Sequence, residues 1–203
     1  GQTRLLLTNP RTGFMYATGM QSLVLENIII DYTTPPFLQA RITQVSSNQF
    51  RIRVDPGFLD FNHPALAQDL RRSRAVFFWI VNPSTGQLKN HASHFIPLNI
   101  NSQYPTRDGA TGDWVVRVGS QVGNLLSQMA PGDYCLMGSR IDEGVGFLFD
   151  RNANIELKNV TLYTAPHMGV FSYQTSQSFI ADGLKIVPRP GSGRLASVVS
   201  DAL

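Results

Sequence analysis

The chain has 203 residues, 42% of them hydrophobic and 15% charged, and carries a formal charge of +3. That profile excludes a disordered chain, and the length admits one ordinary domain or a small domain with an insert. The charge is too small and scattered to point to nucleic acid, and no apolar run reaches the ~18 residues that would span a bilayer.

The first predicted elements lie at Leu23–Ile30, where Leu23, Leu25, Ile28 and Ile30 alternate on either side of Asn27. A period of two that changes phase at a polar residue describes two short strands joined by a corner. Asn suits such a corner because it tolerates the left-handed conformation and bonds its own backbone. From about Thr33 the pattern changes. Phe50–Val54 and Trp114–Val118 alternate cleanly and read as half-buried antiparallel strands. Leu66–Arg74 predicts a short helix, with Arg71-Arg72-Ser73-Arg74 on a solvated face, and Val76–Val81 a more buried strand that runs into the turn Asn82–Gly86. Pro131-Gly132-Asp133 is a turn leading into Tyr134–Met137, where the lone Cys135 reads as a small buried residue. Trp79 and Trp114, both inside strand patterns, are expected in the core of this segment.

The early pattern then returns. Gly13-Phe14-Met15-Tyr16 matches Gly146-Phe147-Leu148-Phe149, and Leu23–Tyr32 matches Ile155–Tyr163 with Asn159 at the corner and a one-residue slip between the two matches. A third copy, Phe179–Val187, puts Gly183 at the corner 24 residues after Asn159, within the spacing of solenoid repeats. Gly169–Tyr173 and Ala196–Ser200 are further short strands in corresponding places. The expectation is an all-β chain: a right-handed parallel β-helix with an inserted antiparallel β-barrel or sandwich. Its predicted parts are early coils at 1–32, the insert at 33–140 and continuing coils at 141–203.

The stretches Asn154–Tyr163, Pro166–Val170, Val187-Pro188-Arg189-Pro190 and Ser197-Val198-Val199-Ser200-Asp201 resemble bacterial right-handed β-helix glycoside hydrolases. The nearest match is the exo-acting α-1,3-galactosidase family, which removes terminal galactose from blood-group-B-type glycans and carries an antiparallel barrel inserted early in the helix. The resemblance implies a secreted or periplasmic protein with a glycan or oligosaccharide substrate and no cofactor. It also implies a catalytic role for Asp201, the one position matching the family's Ser/Ala-Asp-x-x-His stretch. The His and the Asp-Asp pair of that pattern are not in this chain. An inverting glycosidase needs two carboxyl groups ~6.5–9.5 Å apart, so a fragment ending here is expected to be inactive alone. The chain begins on Gly1 and stops directly after a strand-like run, and both ends are expected to be cuts from a longer parent.

Other candidates follow from residue type. His167, in a turn between two solenoid strands, either lines a sugar site or bonds neighbouring backbone. Arg189 and Arg194 flank Pro190-Gly191-Ser192-Gly193, where guanidinium donors suit sugar hydroxyls or carboxylates and the alternative is a solvated turn. His91, His94, His63 and Asp60 lack a determined third ligand, so no metal is expected. Asp31 and Asp150 both end strand-like runs, and both read as caps of a corner or turn. Asp142-Glu143 reads as a surface turn. Rival functions on the same grammar are a polysaccharide lyase or epimerase, and a non-catalytic glycan-binding adhesin, which an exposed aromatic row without paired carboxylates would support. The oligomeric state is left open.

Overall fold

The computed structural model describes residues 1–73, 76–89, 95–96, 104–118, 126–138, 144–175 and 177–199. The side chains of 69–77 and 95–96 lie outside that description. In chain order the elements are β1 (Thr3–Leu7), β2 (Met15–Thr18), β3 (Ser22–Tyr32), β4 (Phe37–Val45), β5 (Gln49–Val54), α1 (Pro64–Ser73), β6 (Val76–Val81) and β7 (Phe95–Ile96). They continue with β8 (Thr106–Arg107), β9 (Trp114–Arg117), β10 (Tyr134–Gly138), β11 (Phe147–Asp150), β12 (Asn154–Leu162), β13 (Val170–Tyr173), β14 (Ser178–Asp182) and β15 (Lys185–Ile186). The chain is mostly β, and it divides into two compact units, Gly1–Pro36 with Ile141–Leu203, and Phe37–Arg140.

The first unit holds two parallel sheets. One has the order β1-β3-β12-β14, with β15 also paired to β12, and the other the order β13-β11-β2. The chain alternates between them: β2 is followed by β3, β11 by β12, and β13 by β14. Each return lands on the strand beside the previous one. The register is constant, because Leu23 pairs with Ile155, Ile30 with Leu162 and Met15 with Phe147. The slip between the two sequence matches is therefore not structural: Phe147 pairs with Met15 rather than Phe14. Glycines explain why the local match misleads. A Cβ on Gly13 would lie 1.8 Å from the Val145 carbonyl oxygen, and one on Gly146 would lie 2.5 Å from that of Gly169. Each glycine lets its backbone approach the next return of the chain, Val145 for Gly13 and Gly169 for Gly146, so the two recur without facing each other.

Asn27 and Asn159 take φ of 58° and 50°, and Gly183 takes 70°, so all three are left-handed as their residue types predict. The asparagines also stack: the Asn159 amide donates to the Asn27 side-chain oxygen at 2.7 Å. Side chains on the inner faces form one core, with Ile30, Phe147, Phe149, Ile155, Leu157, Val160 and Leu162 all at 1% exposure or less. At ~25 cal/mol per Å² of apolar surface, each such side chain contributes roughly 1.5–3 kcal/mol. Residues 196–199, expected as a strand, run irregularly, yet Val198 still packs into this core. The Thr164 hydroxyl and the Ala165 N–H both donate to the Ser197 carbonyl, at 2.6 and 3.2 Å. Those bonds take an acceptor that a ladder would otherwise use.

The second unit is a seven-stranded antiparallel sheet of order β7-β6-β10-β4-β5-β9-β8 with α1 beside it in the chain. The two alternating runs pair with each other, Phe50 opposite Val116 and Ile52 opposite Trp114. Their inward residues join Leu38, Ile42, Phe61, Phe78 and Met137 in a separate core. Trp114 is 5% exposed within it, whereas Trp79 is only half-buried. Cys135 is fully buried between β4 and β6, and burial, then the nearby Asp55 charge, pushes its thiol pKa well up. A thiol so held is a packing group.

Candidate functional site

The outer faces of the two parallel sheets differ in chemistry. On the five-stranded sheet, Glu26 lies opposite Lys158, which lies opposite Asp182. Lys158 also pairs with Glu156 at 2.9 Å. That is a solvated charge ladder of alternating sign. The three-stranded sheet instead presents rings. Its inward residues are Met15, Phe147 and Val170, and alternation sends Tyr16, Leu148 and Phe171 outward as direct neighbours across three strands. Two residues on, Thr18, Asp150 and Tyr173 form a second outward row. Tyr16 is 61% exposed, Phe171 41% and Tyr173 53%. Three large rings on one face are costly for solubility and ask for an explanation.

The same face carries polar groups. Arg151 donates through Nε and a terminal nitrogen to Asp150 Oδ2, at 3.1 and 2.9 Å. The Tyr16 and Thr18 hydroxyls approach the same oxygen at 3.4 and 3.5 Å. No donor among the described residues reaches Oδ1, which leaves it available to accept from a ligand. Asp150, Arg151 and Gln174 line an open cavity of about 440 Å³ with Leu148 and the three rings. That volume falls within the ~300–1,000 Å³ usual for small-molecule sites.

Backbone strain marks the same place. The strands of this sheet end in left-handed residues, Gly19 with φ 67°, Arg151 with φ 51° and Gln174 with φ 52°. Glycine is at home there, but arginine and glutamine each pay ~1–2 kcal/mol for it. Hydrogen bonds from the Gly19 N–H to the Asp150 carbonyl and from the Arg151 N–H to the Tyr173 carbonyl hold the corners in line. Asn152 ties the turn from below: its side-chain oxygen accepts from the Met20 N–H and its amide donates to the Ala17 carbonyl. Two strained long side chains at the rim of one cavity are the pattern expected where side-chain chemistry matters more than backbone comfort.

No protein-family model matches the chain, and no curated protein matches it. The site therefore stands on its geometry. Of the residues singled out by sequence, Arg189 and Arg194 come together, and they do so on Asp31. That carboxylate is fully buried and accepts from Arg194 at 2.5 Å and from Arg4 and Arg189 at 3.1 Å each. The Tyr32 N–H adds a fourth bond at 2.8 Å. Burial by itself would raise the Asp31 pKa; the Arg194 and Tyr32 hydrogen bonds, the Arg194 charge and Arg4 outweigh it and hold it below the usual 3.8. Arg194 also donates to the Tyr32 carbonyl at 3.2 Å, so the cluster ties β1 and β3 to the 189–194 segment.

His167 sits elsewhere. It is 4% exposed, both ring nitrogens are shielded from solvent, and its backbone N–H donates to the Gly144 carbonyl at 3.1 Å. Asp60 and His63 serve the start of α1: Asp60 Oδ1 accepts from the Asn62 and His63 N–H groups, and His63 Nδ1 accepts from the Ala65 N–H. Asp201, His91, His94, Asp142 and Glu143 lie outside the described residues. Among the described residues no three His, Cys, Asp or Glu side chains are grouped to hold a metal, and no helix is long and apolar enough to cross a membrane.

Sequence reasoning missed Tyr16, Phe171, Tyr173, Asp150, Arg151 and Gln174 as a group. Alternation against the inward Met15, Phe147 and Val170 is the signal that finds them, since every second residue of a strand faces out.

Proposed function

We propose that the protein is carbohydrate-active and built on a right-handed parallel β-helix, and that the outward face of β2, β11 and β13 binds a glycan. The observation that carries this reading is the outward row Tyr16, Leu148 and Phe171, with both rings exposed, beside Tyr173, Asp150 and Arg151. A sugar ring has an apolar face of C–H groups and a rim of hydroxyls. It therefore calls for flat rings next to a few fixed donors and acceptors, which this face supplies. The alternation of the chain between two parallel sheets in constant register supports the β-helix.

Among the described residues Asp150 is the single carboxylate lining this face, and it is engaged by Arg151, so the geometry favours binding over hydrolysis. Hydrolysis of a terminal α-galactoside is a second reading, and it rests on Asp201.

Titration of the chain with galactose-terminated oligosaccharides, followed by calorimetry, tests the first reading. Tyr16→Ala and Phe171→Ala are each expected to weaken binding by about threefold to tenfold, the equivalent of losing ~0.5–1.5 kcal/mol of ring contact. Affinity unchanged in the double variant would sink it. Turnover of nitrophenyl α-galactoside by the protein, abolished by Asp201→Ala, would be the outcome expected of the second reading.

A further inference from the structure

The Asp31 cluster holds more positive charge than the single carboxylate can neutralise, three guanidiniums against one negative charge. The carboxylate is also saturated as an acceptor. Oδ1 takes Arg194 and the Tyr32 N–H, and Oδ2 takes Arg4 and Arg189. A carboxylate offers about four lone-pair sites, and all are used.

The three arginines are not equivalent. The Arg194 side chain is 4% exposed and its second terminal nitrogen is committed to the Tyr32 carbonyl. Arg4 and Arg189 are 51% and 39% exposed, and each spends one terminal nitrogen on Asp31. Asp31 is their one carboxylate partner among the described residues. Both bond the same oxygen at 3.1 Å, so two like charges sit side by side with N–H donors to spare and solvent within reach. Repulsion between them is relieved by any anion that bridges them, and planar guanidinium forks match the oxygens of a carboxylate or sulfate.

We propose that Arg4 and Arg189 form a binding site for an oxyanion of the carboxylate or sulfate type, with Asp31 and Arg194 as the buried base that orients them. The oxyanion reaches the site either as a free ion or as the acidic group of a sugar. The site does not depend on the aromatic face, and a neutral sugar lacks what it recognises.

The test titrates the intact chain at constant ionic strength with inorganic sulfate, galacturonic acid and galactose. The readout is the NMR shift of the arginine Nε–Hε resonances. Sulfate or galacturonate is expected to move Arg4 and Arg189 saturably, and galactose to leave them in place. A response to sulfate alone assigns the free ion, and a tighter response to galacturonate assigns the sugar acid. Arg4→Gln and Arg189→Gln are each expected to weaken the anion at least about tenfold. Arg117→Gln, an exposed arginine of the second unit, leaves it unchanged. Absence of saturable shifts with either anion, or an equal response to galactose, overturns the proposal. The wild-type titration decides this without any variant, so instability of a substituted chain does not blunt it.

Discussion

Asp31 and Asp150 look alike in the sequence, each ending an apolar strand, and the structure puts them in opposite surroundings. Asp31 is fully buried, with four donors divided between its two oxygens. Asp150 lies on an open face and takes all its donors on one oxygen, its partner Arg151 being 68% exposed. The first carboxylate is a fastener whose bonding capacity is exhausted inside the protein. The second keeps capacity in reserve. Saturation, more than charge, separates a structural carboxylate from one poised to meet a ligand.

The largest expected effect breaks the first side of that contrast. Asp31→Asn leaves three guanidiniums facing a neutral amide, one of them buried, and removing one partner of a buried ion pair costs about 3–5 kcal/mol. Urea denaturation followed by circular dichroism checks this. A loss below about 1 kcal/mol would show that water solvates the cluster and that Asp31 is not its anchor.

A related measurement reads the same carboxylate without destroying it. Its folded-state pKa lies below 3.8, because the Arg194 and Tyr32 bonds outweigh burial. A group with a depressed folded pKa stabilises fully above its unfolded value, and that contribution is lost as pH falls through the folded value. The Asp31 contribution is therefore expected to stay constant from neutral pH down to about pH 4 and to decline below it. Asp31→Asn should remove that share of the acid decline. Parallel pH curves for the two proteins would contradict the assignment.

How far the sequence reveals these features depends on how local their causes are. The corners at Asn27, Asn159 and Gly183 are legible because one residue's own backbone preference sets each, and all three take positive φ. That Phe50–Val54 and Trp114–Val118 are strands is legible because both alternate, whereas their pairing with each other is not. The fate of Asp31 is not, since its partners Arg4, Arg189 and Arg194 arrive from strands and loops distant in the chain. The rings of the aromatic face are legible only in part: alternation puts Phe171 and Tyr173 on the face opposite Val170, but it does not bring Tyr16 beside them. Their meeting follows from the pairing of β11 with both β2 and β13. Asp201, on which the hydrolytic expectation rests, lies outside the described residues.

The smallest expected effect on stability is also the sharpest on function. Arg151 holds a left-handed conformation that glycine adopts freely, and Gly19 occupies the equivalent corner one strand away. Arg151→Gly relieves ~1–2 kcal/mol of backbone strain and adds ~0.5–1 kcal/mol of entropy cost in the unfolded chain. It also removes an exposed ion pair, which contributes little in water. These contributions nearly cancel, so the melting temperature should move little in either direction. Glycan affinity, by contrast, should fall several-fold, because Asp150 loses the group that orients it and the cavity loses one of its donors. A variant that binds as well as the parent would make Arg151 a tolerated irregularity. A variant that melts much earlier would make it a fastener like Arg194, and the distinction between the two aspartates would then lie only in their exposure.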